Sequence, residues 1–184
     1  MIRILESPWQ FCLIKGRTDS GKTEVGLELL SQFLNKKITL FDELINNKEH
    51  IMLMTENIEQ TTLLKDNIYD KIYIIENIST KDPIRYIKTF HEEKVLDLVI
   101  IDYINLIYNG SQLKDVLYFL KENKIRAIFI ENTAKLRKES PVLDHYCDYI
   151  LNTNRNSPSG AIEISLLKVN NQNLLEPIYF YLDK

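Results

Sequence analysis

The stretch that decides the fold lies near the start of the sequence and reads Gly16-Arg17-Thr18-Asp19-Ser20-Gly21-Lys22-Thr23. An apolar run of strand length, residues 11–14, precedes it, and residues 23–34 carry apolar side chains at helical spacing. The pattern G-x-x-x-x-G-K-T between a strand and a helix is typical of a phosphate-binding loop (P-loop), in which backbone N–H groups converge on phosphates and glycines allow close approach. These eight residues are therefore predicted to bind ATP, with Lys22 at the terminal phosphates and Thr23 as a ligand of Mg²⁺. The alternative, a plain turn followed by a solvated lysine, fits the flanking patterns less well.

Apolar runs of strand length recur along the chain and alternate with helical patterns. The runs occupy residues 11–15, 51–54, 72–75, 98–101, 127–130 and 149–151. Continuous apolar composition is typical of strands that are buried on both faces. Helical patterns occupy residues 23–34, 83–94 and 112–123, and Asp82 with Pro83 forms an amino-terminal cap for the second. This alternation predicts an α/β fold with a mainly parallel sheet and helices on both faces.

The pattern of apolar and polar residues changes after residue 160. Ile162, Ile164 and Leu166 alternate with polar residues, which predicts a half-exposed strand. Residues 170–173 predict a turn, and residues 177–182 predict a last strand. We therefore expect a carboxy-terminal antiparallel hairpin at the edge of the sheet.

Length and composition limit the class of protein. The 184 residues, 45% of them hydrophobic and 27% charged, predict a single folded domain spanning residues 1–184. A net charge of −3 gives no general attraction to nucleic acids or anionic membranes, although a local basic patch would still bind DNA. Nowhere do 18 apolar residues run together, so we expect no membrane partner and a cytoplasmic location.

The cysteines and histidines do not suggest a resident metal. Cys12 and Cys147 each lie in an apolar run, which indicates buried thiols. His50, His91 and His145 are scattered and lack the spacing of metal ligands. We therefore expect any metal ion to bind together with the nucleotide.

A second candidate for Mg²⁺ lies at the end of a buried strand. The run Leu98-Val99-Ile100-Ile101 ends in Asp102, and an aspartate in this position holds Mg²⁺ beside the P-loop threonine in P-loop NTPases. A helix cap or a turn is the alternative role for such an aspartate. Tyr103 follows, where an AAA+ ATPase usually carries its catalytic glutamate, and this disfavours the AAA+ class.

Three motifs in order carry a resemblance to a known family. Residues 16–23, residues 51–56 (Ile-Met-Leu-Met-Thr-Glu) and residues 100–107 (Ile-Ile-Asp-Tyr-Ile-Asn-Leu-Ile) resemble the RecA-type ATPase core, and more narrowly the C-terminal motor domain of DnaB-type replicative helicases. The resemblance implies that Glu56 is the catalytic base that activates the attacking water. The alternative is that Glu56 caps the helix after it.

The same resemblance assigns further residues, with departures. Asn132 occupies the place of a polar sensor, usually glutamine, that reads the terminal phosphate, and loop capping is the alternative. Lys168 matches the first residue of a basic pair that reaches into a neighbouring subunit's ATP, but Asn170 stands where the arginine finger is expected. Arg155 is a candidate substitute, or a plain surface arginine.

Three functions remain as alternatives. The first is an ATPase that acts in DNA replication or recombination, with single-stranded DNA, further copies of the chain or a replication protein as partners. Lys135, Arg137 and Lys138 form a small basic cluster for that role, but the loops that would line a DNA channel are short. The second is a nucleotide-dependent protein-binding or regulatory module with little or no turnover. A small-molecule kinase ranks last, because the sequence shows no arginine-rich lid.

Overall fold

In the computed structural model, the strands form a sheet that lies between two layers of helices. The structure describes residues 9–34, 50–55, 72–76, 82–102, 104, 110–133, 141–156 and 159–182. The strands in chain order are β1 Phe11–Gly16, β2 His50–Thr55, β3 Ile72–Glu76, β4 Leu96–Asp102, β5 Arg126–Asn132, β6 Tyr149–Arg155, β7 Ile162–Val169 and β8 Gln172–Leu182. The helices are α1 Lys22–Leu34, α2 Pro83–Glu93, α3 Gly110–Glu122 and α4 Pro141–Tyr146.

The described strands form one sheet in the order β3-β2-β4-β5-β1-β6-β7-β8. Every pairing from β3 to β6 is parallel, and β7 and β8 join antiparallel at one edge. The predicted fold class, a mainly parallel sheet with a carboxy-terminal antiparallel hairpin, is confirmed. The P-loop strand β1 lies inside the sheet, between β5 and β6, and is therefore held on both sides.

The core is divided into two layers by the sheet. Successive residues of a strand point to opposite faces, so β1 sends Cys12 and Ile14 to the layer of α1, and Phe11 and Leu13 to the layer of α2, α3 and α4. Burial of each aliphatic side chain of this size contributes about 1.5–3 kcal/mol. This packing on both faces explains why β1 reads as a continuous apolar run, and it gives the P-loop a rigid base.

The predicted cap of α2 is present. Asp82 precedes the helix with extended backbone, its side chain accepts a hydrogen bond of 3.4 Å from the backbone N–H of Arg85, and Pro83 is the first helical residue. Proline is well tolerated there because its missing N–H would have no partner inside the helix.

The hairpin turn is tighter than the sequence predicted. The expected turn covered residues 170–173, but Val169 pairs directly with Gln172, and β8 starts there rather than at Pro177. Asn170 and Asn171 adopt φ of 48° and 65°, which matches a two-residue type I′ turn, and asparagine tolerates this left-handed conformation. Pro177 is accommodated because β8 is an edge strand in the described sheet.

Both cysteines are buried free thiols, as predicted. Burial raises the pKa of Cys12 and of Cys147 above the ordinary value, so the unreactive thiol form is favoured. Within the described ranges, no helix is long and apolar enough to cross a membrane.

Candidate functional site

The site lies where the carboxyl ends of the parallel strands meet. Gly16, at the end of β1, pairs with Asn132 of β5 on one side and with Thr153 of β6 on the other. Asp102 ends β4 and pairs with Ile130 of β5. Because parallel strands point the same way, residues that are distant in the sequence meet at this one edge, which is where open α/β sheets bind ligands.

The P-loop, residues 16–23, folds as a tight loop that leads into α1. The backbone N–H of Ser20 donates to the carbonyl of Arg17 over 3.2 Å, and Thr133 N–H donates to the carbonyl of Gly16 over 2.9 Å. Asp19 and Gly21 have φ of 59° and 89°. The loop is therefore fixed by its own hydrogen bonds and by the strand beside it.

Both P-loop glycines are required by packing as well as by phosphate approach. A Cβ on Gly16 would overlap Ser20 Oγ and Thr153 Oγ1, and a Cβ on Gly21 would overlap the side chain of Ile162 in β7. Gly21 also has the positive φ that favours glycine. The loop therefore sits directly against the hairpin of β6 and β7.

Lys22 is buried at the first position of α1, and its ammonium donates to the carbonyl of Arg17. Burial lowers the pKa of Lys22, and the negative charges of Asp102, Asp19 and Glu24 oppose that shift. The side chain therefore folds back over the loop, with its charge where the phosphates of a nucleotide are expected.

Thr23 and Asp102 lie together, as the sequence predicted for Mg²⁺ ligands. Thr23 Oγ1 donates to Asp102 Oδ2 over 3.0 Å, and Asp102 is buried with 1% exposure. Hydroxyl and carboxylate oxygens suit Mg²⁺, which is commonly held by one or two carboxylates together with substrate phosphates. The described part of the chain contains no group of three or more His, Cys, Asp or Glu side chains that could hold a metal without a nucleotide.

Asn132 reaches the loop from the end of β5. Its Nδ2 donates to Thr18 Oγ1 over 3.2 Å. This contact places the amide beside the P-loop, so the sensor role remains a prediction with a suitable position.

Several predicted residues fall outside the described ranges: Glu56, Tyr103, Lys135, Arg137 and Lys138. Glu56 follows Thr55, the last residue of β2, in the sequence. Met54 of β2 pairs with Ile101 of β4, so β2 and β4 end at the same edge of the sheet. The catalytic role of Glu56 remains a prediction.

The structure contradicts the interpretation of Lys168 as a residue that reaches into a neighbour. Lys168 is 5% exposed, and its ammonium donates to the carbonyls of Asp144 (2.8 Å) and His145 (3.4 Å) in the last turn of α4. Basic side chains commonly cap helix ends in this way, where carbonyls lack partners within the helix. Asn170, at the position expected for the arginine finger, lies in a turn, where its φ of 48° is a conformation that asparagine tolerates.

Two residues of β6 support the loop and were not assigned to it from the sequence. Thr153 Oγ1 lies 2.8 Å from Ser20 Oγ and 3.2 Å from the carbonyl of Lys15. Arg155 donates from Nε to the carbonyl of Asp19 over 3.1 Å and forms an ion pair with Glu24 of α1. The two-residue period of a strand would have shown that residues 151, 153 and 155 share a face, but not that this face borders the P-loop.

A separate cleft of about 960 Å³ opens beside α4, and its lining includes Lys15, Lys168, Asp144 and Tyr146 but no residue of the P-loop. Lys15 contacts Asp144 at 2.6 Å and the buried Glu131 at 3.8 Å, while Lys168 caps α4. The charges of Lys15 and Lys168 in this cleft therefore serve contacts within the fold.

Comparison with known proteins shows the fold. No family model matches the sequence, and no curated protein matches it. Among solved structures, the chain resembles a KaiC-like protein from the hyperthermophilic archaeon Pyrococcus horikoshii OT3, with a TM-score of 0.61 and 14% identity over 93% of this chain and 84% of the other. The RadB recombinase has a TM-score of 0.61 and 17% identity over 94% of this chain and 86% of the other. The flagellar accessory protein FlaH from Methanocaldococcus jannaschii has a TM-score of 0.61 and 16% identity over 93% of this chain and 84% of the other. At this identity the likeness extends to the fold, and the chain has the fold of RecA-type ATPases.

Proposed function

We propose that the chain binds ATP with Mg²⁺ at the P-loop and hydrolyses it. The observation that carries this proposal is the 3.0 Å hydrogen bond between Thr23 Oγ1 and Asp102 Oδ2, beside the buried Lys22. A hydroxyl oxygen, a carboxylate oxygen and an ammonium thus lie near the start of α1, and the amino-terminal N–H groups of a helix favour phosphate, which supports the proposal. When bound, Mg²⁺ neutralises charge that develops on the phosphates.

The residues have distinct roles in this proposal. Lys22 binds the terminal phosphates, and Thr23 and Asp102 hold the metal. Glu56 orients the attacking water and takes up its proton, and Asn132 contacts the terminal phosphate after leaving Thr18. The position of Asn132 beside the loop supports its role, and the resemblance in sequence supports that of Glu56.

The purpose we propose for hydrolysis is DNA replication or recombination in the cytoplasm. The motifs at residues 16–23, 51–56 and 100–107 resemble those of DnaB-type helicases, and one structural neighbour is a recombinase by name. The partners would be single-stranded DNA, further copies of this chain or a replication protein.

A second function, a nucleotide-dependent protein-binding or regulatory module with little turnover, is favoured by two specific observations. Lys168 is buried against α4, and the position expected for an arginine finger holds Asn170, a turn residue. An arginine finger accelerates hydrolysis by about 10³–10⁵ in related reactions. A chain without one would bind ATP and turn it over slowly.

Steady-state ATP hydrolysis with and without single-stranded DNA separates the two functions. Lys22→Ala provides the blank, and Glu56→Gln should retain ATP binding while losing turnover. A rate that DNA raises severalfold supports the DNA-directed ATPase. ATP binding with negligible turnover that is indifferent to DNA supports the regulatory module, and a wild-type protein that binds ATP no better than Lys22→Ala would refute both.

A further inference from the structure

The guanidinium of Arg155 contacts the P-loop, the first turn of α1 and the connection between β6 and β7. Its Nε donates to the carbonyl of Asp19 in the P-loop over 3.1 Å, and its Nη1 donates to the carbonyl of Gly160 over 3.4 Å. Its Nη2 lies 2.5 Å from Glu24 Oε2 in the first turn of α1. The planar fork of arginine holds its donors in fixed directions, so these contacts set the loop, the helix and the hairpin relative to one another.

The contact with Asp19 controls the direction of a backbone N–H group in the P-loop. The carbonyl of Asp19 and the N–H of Ser20 belong to one peptide unit, and in a trans peptide they point in opposite directions. Arg155 holds the carbonyl over 3.1 Å, and Arg17 accepts from the N–H over 3.2 Å. Rotation of this unit would break both hydrogen bonds and would change the path of the P-loop backbone.

The left-handed backbone of Asp19 makes such support necessary. Its φ of 59° lies in the left-handed region, which carries a free-energy cost for a residue with a Cβ. The surrounding contacts must supply that free energy, and Arg155 provides one of them.

The ion pair with Glu24 has an electrostatic consequence for the nucleotide. Burial lowers the pKa of Lys22, and Glu24 is close enough for its negative charge to oppose part of that shift. An unneutralised Glu24 would therefore also repel phosphates. Arg155 offsets that charge while leaving Glu24 at the start of α1, where a negative charge stabilises the helix.

We propose that Arg155 is a positioning residue for nucleotide binding in its own chain, which holds the Asp19–Ser20 peptide of the P-loop and neutralises Glu24. This inference rests on the proposed ATP-binding function. It differs from the alternative of Arg155 as a finger that acts on a neighbouring subunit, and mixing two variants distinguishes the two roles.

The test measures Mg-ATP affinity and P-loop amide exchange for Arg155→Ala and Arg155→Lys. Arg155→Ala should weaken Mg-ATP binding by about tenfold, as expected for losing a charge-assisted contact. It should also speed hydrogen exchange of the Ser20 amide severalfold in protein without nucleotide. Arg155→Lys restores the charge but not the fork, so it should recover part of the affinity and leave exchange fast.

Three controls make the result specific. Arg85→Ala removes an exposed arginine of α2 and should leave both readouts unchanged. Glu24→Gln combined with Arg155→Ala should recover the electrostatic part of the loss. Mixing Arg155→Ala with Lys22→Ala should give no more hydrolysis than Arg155→Ala alone, because each active site needs its own Arg155.

The outcomes separate failure of this inference from failure of the proposed function. If the wild type binds Mg-ATP normally and Arg155→Ala changes neither the affinity for Mg-ATP nor the exchange of the Ser20 amide, the inference alone is overturned. A gain of hydrolysis in the mixture also overturns the inference alone. A wild-type affinity equal to that of Lys22→Ala overturns the proposed function and the inference together.

Discussion

Lys22 shows how a single side chain links stability to ligand binding. Its pKa is lowered by burial, so the folded protein holds the lysine proton less tightly than the unfolded chain does. The unfolded chain therefore binds more protons in the window below the ordinary lysine pKa of 10.5, and the contribution of Lys22 to stability rises with pH there. At neutral pH the buried charge is unfavourable until a phosphate compensates it.

The Lys22→Met variant tests this linkage. We expect its free energy of unfolding without nucleotide to equal or exceed that of the wild type at neutral pH, because the buried charge is gone. Binding of Mg-ATP should be lost. Urea denaturation with and without Mg-ATP measures both effects, and Lys22→Arg serves as the variant that keeps the charge. A Lys22→Met protein that is much less stable than the wild type without nucleotide would contradict the prediction.

Residue types and spacing predicted that Thr23 and Asp102 act together, whereas they did not predict the contact between Arg155 and the P-loop. The first pair follows two local motifs, a P-loop and a buried strand that ends in a carboxylate. Arg155 and Asp19 lie 136 positions apart, and no local pattern joins them. Their contact depends on β6 lying next to β1.

At the scale of elements, the hairpin of β7 and β8 depends on its two turn residues. Asn170 and Asn171 both have positive φ, and asparagine tolerates this conformation better than alanine does. Asn171 also donates from Nδ2 to Asp148 Oδ1 over 3.0 Å, which ties the turn to the start of β6. The backbone conformation of the turn therefore favours asparagine at both positions, including Asn170, where the family resemblance implied an arginine.

The Asn170→Ala variant should lower the free energy of unfolding by about 1 kcal/mol because of the left-handed backbone. Asn170→Gly should be close to the wild type, since glycine adopts positive φ without strain. Chemical denaturation of the three proteins measures the difference. Equal stability of the alanine variant and the wild type would show that the turn does not require asparagine.

The hairpin of β6 and β7 supports the P-loop in the same way that β1 and β5 do. Thr153 contacts Ser20, and Ile162 packs against Gly21. The antiparallel edge, which the sequence predicted as a plain hairpin, is thus part of the site.

At the scale of the whole molecule, ligand binding should stabilise the fold. A ligand at about 100 times its Kd stabilises the native state by about 2.7 kcal/mol, which corresponds to roughly 5–10 °C in the Tm of a chain of this size. We therefore expect ATP with Mg²⁺ to raise the Tm by several degrees.

Asp102→Asn tests which part of this shift requires the metal. The variant should lose most of the Mg²⁺-dependent increase in Tm, because an amide is a weaker ligand than a carboxylate. Thermal denaturation with ATP in Mg²⁺ or in EDTA measures this difference. Increases of equal size in EDTA and in Mg²⁺ for the wild type would show that Thr23 and Asp102 do not hold a metal.

The sequence by itself determined the strand, loop and helix of the P-loop motif, the pairing of Thr23 with Asp102, the α/β class and the antiparallel end of the sheet. Each follows from contiguous residues, whose periodicity or spacing is set by local backbone geometry. Only the tertiary structure decided that β1 lies between β5 and β6, that Lys168 caps α4 and that Arg155 holds the P-loop. These depend on which strands become neighbours, and that choice is made by packing across the whole sheet rather than by any one segment.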